Sequence, residues 1–112
     1  MKASALTTHV LDTASGAPAP GVKVELWRIE DGGPVKVTEC LTNADGRTDA
    51  PLLTPETFVA GRYELRFHIG MHFGGVGFLG VVPIAVMLEA GQGHYHVPLL
   101  CTAWSYATYR GS

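Results

Sequence analysis

With 112 residues, 46% of them apolar and only 16% charged, the chain is sized for one domain and too apolar for disorder. A net charge of −2, with eight dispersed basic residues, leaves no stripe able to neutralise a nucleic-acid backbone. Two cysteines, Cys40 and Cys101, are too few for a disulfide framework and read as reduced thiols of a cytoplasmic protein.

The stretch from Met1 to His9 lacks the roughly 7–15-residue apolar run of an export signal. Leu6 to Asp12 then alternates with period two, placing Thr7, His9 and Leu11 on one face and Thr8 and Val10 on the other. Gly16 to Gly21, interrupted by Pro18 and Pro20, ends that strand. Val22, Val24 and Leu26 alternate with Lys23 and Glu25 in a half-buried second strand running to about Ile29. After the turn Asp31-Gly32-Gly33-Pro34, the residues Val35, Val37, Glu39 and Leu41 alternate with Lys36, Thr38 and Cys40. Asn43-Ala44-Asp45-Gly46-Arg47 reads as a tight connection in which Gly46 can take positive φ.

Residues 51–61 read as a loop, and Arg62 to Ile69 as a strand with Tyr63, Leu65, Phe67 and Ile69 inward. Phe73 to Leu88 is uncharged, but its 16 residues fall short of the ~20 of a membrane helix. Gly74, Gly75, Gly77, Gly80 and Pro83 make it a loop followed by a buried strand from Val81 to Glu89, so no membrane is implied. His94 to Leu100 is a strand with Tyr95, Val97 and Leu99 toward the core and both histidines outward, and Trp104 to Arg110 is the last strand. Seven or eight short strands without helical periodicity predict an all-β antiparallel sandwich forming a single domain over residues 1–112. The one place for a short helix is near Met71, where glycines oppose it. Sandwich edges invite pairing, so strand-mediated dimers are expected.

Five histidines stand out among few other ionisable groups. Imidazole titrates near ~6.5 and is the natural acid or base at neutral pH. Any one strand histidine is ordinarily a surface residue. His94 and His96, two apart, share one strand face, and with His9 they could form a zinc triad, although no spacing signature marks one. His68 and His72 face together only if that stretch is helical. The carboxylates form no acid/base pair, and the sequence carries no nucleophile elbow, phosphate loop or cysteine–histidine signature. On the residues alone the reading ends at a β-sandwich with a histidine-bearing face.

Four collinear segments carry it further. Leu6-Thr7-Thr8-His9-Val10-Leu11-Asp12, Thr42-Asn43-Ala44-Asp45-Gly46-Arg47, His94-Tyr95-His96-Val97-Pro98-Leu99-Leu100 and Tyr109-Arg110-Gly111-Ser112 closely resemble the signatures of the transthyretin-like 5-hydroxyisourate hydrolase family. Phe58-Val59-x-Gly61-x-Tyr63 extends the resemblance across essentially the whole chain. The resemblance implies two four-stranded sheets and a homotetramer, a dimer of dimers with its sites in the channel between dimers. The implied activity is cofactor-independent, metal-free hydrolysis of 5-hydroxyisourate, a purine-derived cyclic amide, to 2-oxo-4-hydroxy-4-carboxy-5-ureidoimidazoline. It places the active site on His9, Arg47, His96 and Ser112, with Tyr109, Arg110 and Gly111 shaping the substrate pocket; His94 receives no chemical role. Arg110 would stand as a second cation near Arg47, and Gly111 would let backbone approach the ligand. The chain departs from the family at His68-Ile69-Gly70-Met71-His72 and in the glycines that follow, which bears on the local helix rather than the site. The alternatives are a transthyretin-like carrier, which would need neither the histidines nor the terminal tetrapeptide, and a metal-dependent hydrolase using His9, His94 and His96.

Overall fold

A computed structural model describes residues 3–112; Met1 and Lys2, part of the stretch read for an export signal, lie outside the described residues. The elements run β1 (Ala5–Asp12), β2 (Ala17–Pro18), β3 (Lys23–Glu30), β4 (Gly33–Leu41), β5 (Gly61–His68), α1 (Ile69–His72), β6 (Val81–Leu88), β7 (His94–Cys101) and β8 (Tyr106–Thr108). They form two four-stranded sheets, ordered β2-β1-β7-β8 and β4-β3-β5-β6. The predicted alternation supplies the core between them. Leu6 and Val10 of β1, Val24 and Leu26 of β3, Tyr63, Leu65 and Phe67 of β5, and Leu99 of β7 are all fully buried. Each such side chain contributes about 1.5–3 kcal/mol by leaving water. Thr8, the polar member of this inward row, is satisfied because its hydroxyl donates to the Val97 carbonyl at 2.7 Å.

Several expectations are corrected. The sheets are not wholly antiparallel: β1 and β7 pair in parallel from Ala5↔His94 to Asp12↔Cys101. Strands so far apart in sequence have no hairpin to dictate direction. In β4 the alternation changes phase at a bulge, where Thr38 faces Leu26 but Lys36 faces Trp27, leaving Val37 as the extra residue. Val37 and Cys40 therefore pack on the core, while Val35 and Leu41 are exposed. The strand β6 is an edge rather than a buried strand: Val82, Ile84 and Leu88 face in, but Val81 and Met87 are open. The last strand, expected from Trp104, shortens to Tyr106–Thr108.

Glu25, expected as an exposed partner in the β3 alternation, is buried. Its carboxylate takes hydrogen bonds from His68 and from Trp27 Nε1 (3.0 Å). The His68 bond, opposed by burial and aided by Trp27, holds Glu25 below the usual carboxylate range. The helical turn α1 does form despite its glycines, and His72 Nε2 lies 2.9 Å from Asp12 Oδ2 at the end of β1. His68 and His72 thus tie elements together and stand apart from the histidine-bearing face of β1 and β7.

Candidate active site

The outer face of the first sheet takes its chemistry from two strands. Parallel register sets Thr7 opposite His96, with His94 two residues earlier on the same face of β7. Thr7 Oγ1 consequently lies 2.6 Å from His94 Nε2 and 2.8 Å from His96 Nδ1. The sequence pattern put Thr7 on the face of His9 but gave it no part; only the strand register shows what it touches.

Arg47 arrives by a different route. The edge of β1 away from β7 is covered in turn by β2, by Gly46 and Arg47, and by Leu52 and Leu53. The Val10 amide donates to Gly46 O at 2.8 Å, and Arg47 bridges to His9. Gly46 has φ +75°, and a Cβ there would lie 2.3 Å from the Val10 carbonyl oxygen, so no other residue fits. Asn43 holds the turn. Its Oδ1 accepts from the amides of Asp45 (2.9 Å) and Arg47 (3.2 Å), while its own amide donates to Arg47 O at 2.7 Å. His9 Nε2 lies 2.8 Å from the Asp45 carbonyl oxygen. A carbonyl can only accept, so neutral His9 carries its proton on Nε2 and keeps the lone pair on Nδ1.

The tail closes the third side. Gly111 N–H donates to His96 O at 2.7 Å, laying the tail along the start of β7. A Cβ on Gly111 would fall 2.6 Å from Cδ2 of the His96 ring. The close approach that requires glycine is to the catalytic candidate His96. Thr7, Arg47, Thr48, His94, His96 and Ser112 line a hollow of about 320 Å³. A larger hollow of about 450 Å³ beside α1 is lined by glycines and apolar side chains, with His68 its one ionisable group. Chemistry concentrates in the smaller one.

Within it, burial first, and then the charges of Arg47, His94 and His9, push the His96 imidazole below its ordinary value. His96 is therefore neutral at neutral pH. Among the described residues its Nε2 makes no hydrogen bond. A neutral imidazole beside an arginine can take a proton from water, and the guanidinium can meet negative charge developing on a carbonyl oxygen.

One expectation and one alternative reading differ from this geometry. Arg110 is not a second cation in the hollow: its guanidinium lies 4.1 Å from the centre of the Tyr95 ring and donates to Gln92 O at 3.2 Å. With Tyr109 it lines a separate hollow of about 290 Å³ opening between β6 and β7. Nor are His9, His94 and His96 assembled as ligands. No group of three or more metal-binding side chains occurs among the described residues, and the facing nitrogens of His94 and His96 are spanned by Thr7.

The chain is similar to known proteins over nearly its whole length. The 5-hydroxyisourate hydrolase of Deinococcus radiodurans is 51% identical over 113 residues, covering 96% of this chain and 95% of that protein. A solved (S)-allantoin synthase superposes with a TM-score of 0.89 at 38% identity over 99% of this chain, which spans 44% of that protein's length. The solved Klebsiella pneumoniae 5-hydroxyisourate hydrolase gives a TM-score of 0.80 at 33% identity, covering 100% of this chain and 96% of that one. The sequence pattern of the HIUase/Transthyretin family matches residues 6–111. The four segments, the two-sheet sandwich and these likenesses agree, and the chain belongs to the HIUase/Transthyretin family.

Proposed function

We propose that the chain hydrolyses 5-hydroxyisourate, opening its cyclic amide to give the carboxylated ureidoimidazoline. The observation that carries this reading is the meeting of Arg47, neutral His96 and Ser112 on one hollow, with His9 bonded beside Arg47. Water adds to the amide carbonyl as His96 Nε2 takes its proton. Arg47 stabilises the tetrahedral oxyanion, an effect commonly worth about 3–4 kcal/mol of barrier when a donor is removed. The C–N bond then breaks with its electron pair on nitrogen, which receives the proton taken up by His96; such transfers typically contribute roughly 10²–10⁴ in rate. Ser112 borders the same space and can present its hydroxyl to it.

The working unit is a homotetramer acting in the cytoplasm. Both β6 and β8 are sheet edges, and Val81, Met87, Tyr106 and Trp104 leave apolar surface exposed on or beside them. The hollow is open in the protomer, and a facing copy would give it the depth a small-molecule site needs. Among the described residues no helix is long and apolar enough to cross a membrane, and Cys40 and Cys101 are free thiols. The test is ultraviolet absorbance decay of freshly generated 5-hydroxyisourate with and without the protein. Decay no faster than the spontaneous reaction would refute the proposal.

A further inference from the structure

The pair of contacts at Thr7 has a consequence set by proton counting. A threonine hydroxyl has one proton, yet Oγ1 sits within hydrogen-bond distance of two ring nitrogens, His94 Nε2 and His96 Nδ1. With both rings neutral, the hydroxyl uses its one proton within the triad only by donating to one ring and accepting from the other. If it donates to His94, then His96 holds its proton on Nδ1, and both rings are Nδ1–H forms. If it donates to His96, then His94 holds its proton on Nε2, and both are Nε2–H forms. Of the mixed combinations, one sets two acceptors against the single hydroxyl proton, and the other has both rings donating and leaves that proton without an acceptor among the described residues. Two states therefore use every donor within the triad, and they differ in what His96 shows the hollow: a lone pair on Nε2 in the first, a proton on Nε2 in the second.

We infer that Thr7 and His94 are positioning residues that couple the tautomer of His96 to that of exposed His94, so that each proton crossing at His96 Nε2 is matched by one crossing at His94 Nδ1. This rests on the reading of His96 as the base and acid of the proposed hydrolysis. In the first state His96 Nε2 accepts a proton from the attacking water. The Nδ1 proton of His96 moves to Thr7 Oγ1, the hydroxyl proton moves to His94 Nε2, and His94 Nδ1 releases one proton to solvent. One proton has entered and one has left, both rings end neutral, and His96 now carries Nε2–H. When the C–N bond breaks, that proton passes to the nitrogen, the two hydrogen-bond protons move back, and His94 Nδ1 takes one from solvent. The first state is restored without net charge at either end.

The surroundings suit this device. His94 is exposed and can exchange protons with bulk water, whereas His96 is partly buried. An imidazolium at His96 is opposed by burial and by the positive charge of Arg47, so a path that avoids holding that charge removes an unfavourable intermediate. The path also needs β1 and β7 in their parallel register, since a slip of Thr7 by one residue would turn its hydroxyl to the core.

Long-range proton–nitrogen NMR of the imidazole rings near neutral pH tests the inference directly. In the unaltered protein His94 and His96 should show the same tautomer. Thr7→Val, which keeps the shape and removes the hydroxyl, should leave His96 a mixture of tautomers. It should lower kcat about tenfold or more with KM within about twofold, and Thr7→Ser should restore both tautomer and rate. Opposite tautomers in the unaltered protein would overturn the inference. So would a Thr7→Val protein with unchanged His96 tautomer and unchanged kcat. If the unaltered protein fails to consume 5-hydroxyisourate, the hydrolase reading falls, and the NMR comparison still decides whether Thr7 couples the rings.

Discussion

Replacing Gly111 by alanine asks whether the tail is part of the site or merely ends beside it. A Cβ at Gly111 would lie 2.6 Å from Cδ2, 3.2 Å from Cγ and 3.3 Å from Cβ of His96. Comfortable carbon contacts start near ~3.5 Å, so the ring or the tail must give by about 1 Å. If the ring turns, Nδ1 leaves Thr7; if the tail moves, the 2.7 Å bond from Gly111 N–H to His96 O breaks and Ser112 departs from the hollow. A misplacement of this size commonly costs about 10²-fold in rate. No core side chain is involved, and a chain terminus yields easily, so the stability loss should stay below about 1 kcal/mol, or roughly 5 °C in Tm. Initial rates of 5-hydroxyisourate loss and calorimetric melting report the two quantities side by side. Deleting residues 109–112 provides the limit for a tail fully displaced. An alanine variant with wild-type kcat would show that the tail does not rest against His96 in solution, and the argument for its role would fail.

The site and its supports make further predictions. His9→Ala, Arg47→Ala and His96→Ala should each lower kcat by roughly 10²-fold or more with Tm nearly unchanged, because none of the three belongs to the core; steady-state rates and melting curves check this. The acid limb of kcat/KM should lie below the ordinary histidine range, since His96 is held neutral there, and Arg47→Gln should move the NMR titration of His96 upward by removing a neighbouring cation. Asp12 is pushed up by burial, but the hydrogen bonds from His72, Ser15 and Ala14 outweigh this and leave it below its ordinary value. Its stabilisation is therefore present above the ordinary carboxylate range and lost as pH falls through the lowered value. Asp12→Asn should cost about 2 kcal/mol at neutral pH and progressively less in acid, as measured by denaturant melts. Burial, aided by the charge of Asp12, raises the Cys101 thiol to about 11, so thiol reagents should modify it slowly until the protein unfolds.

What could be read from the sequence followed the reach of each interaction. Alternation is local, and it located the inward rows of β1, β5 and β7 and the outward His9, His94 and His96. The turn before Arg47 was legible for the same reason, as Asn43 and Gly46 act within five residues. The β4 bulge was not, because its cause is a mismatch with β3 that neither strand shows alone. The parallel direction of β1 and β7 depends on packing between residues almost ninety apart, and Thr7's contacts follow from it. Arg110 illustrates a different limit. The resemblance assigned it to the substrate, but alternation along the tail sends it to the Tyr95 side while Gly111 meets His96.

The same alternation explains why one sandwich can serve unlike purposes within its family. Along β1 and β7 each outward residue is flanked by inward ones, so the core is specified by Leu6, Val10, Val97 and Leu99 independently of what Thr7, His9, His94 and His96 do. Substituting the outward row leaves nearly all the buried apolar area in place, and with it the dominant favourable term in folding. Fold likeness alone thus cannot separate a hydrolase from a carrier. On the proposed mechanism the separation rests on side chains outside the core: His9 and Arg47 joined across the edge of β1, and His96 held between Thr7 and Gly111. Gly46, by contrast, is bound to the core framework, because its backbone must pass against Val10 for Arg47 to reach His9. A substitution there would therefore cost stability and activity together, whereas substitutions of the outward side chains would cost activity alone.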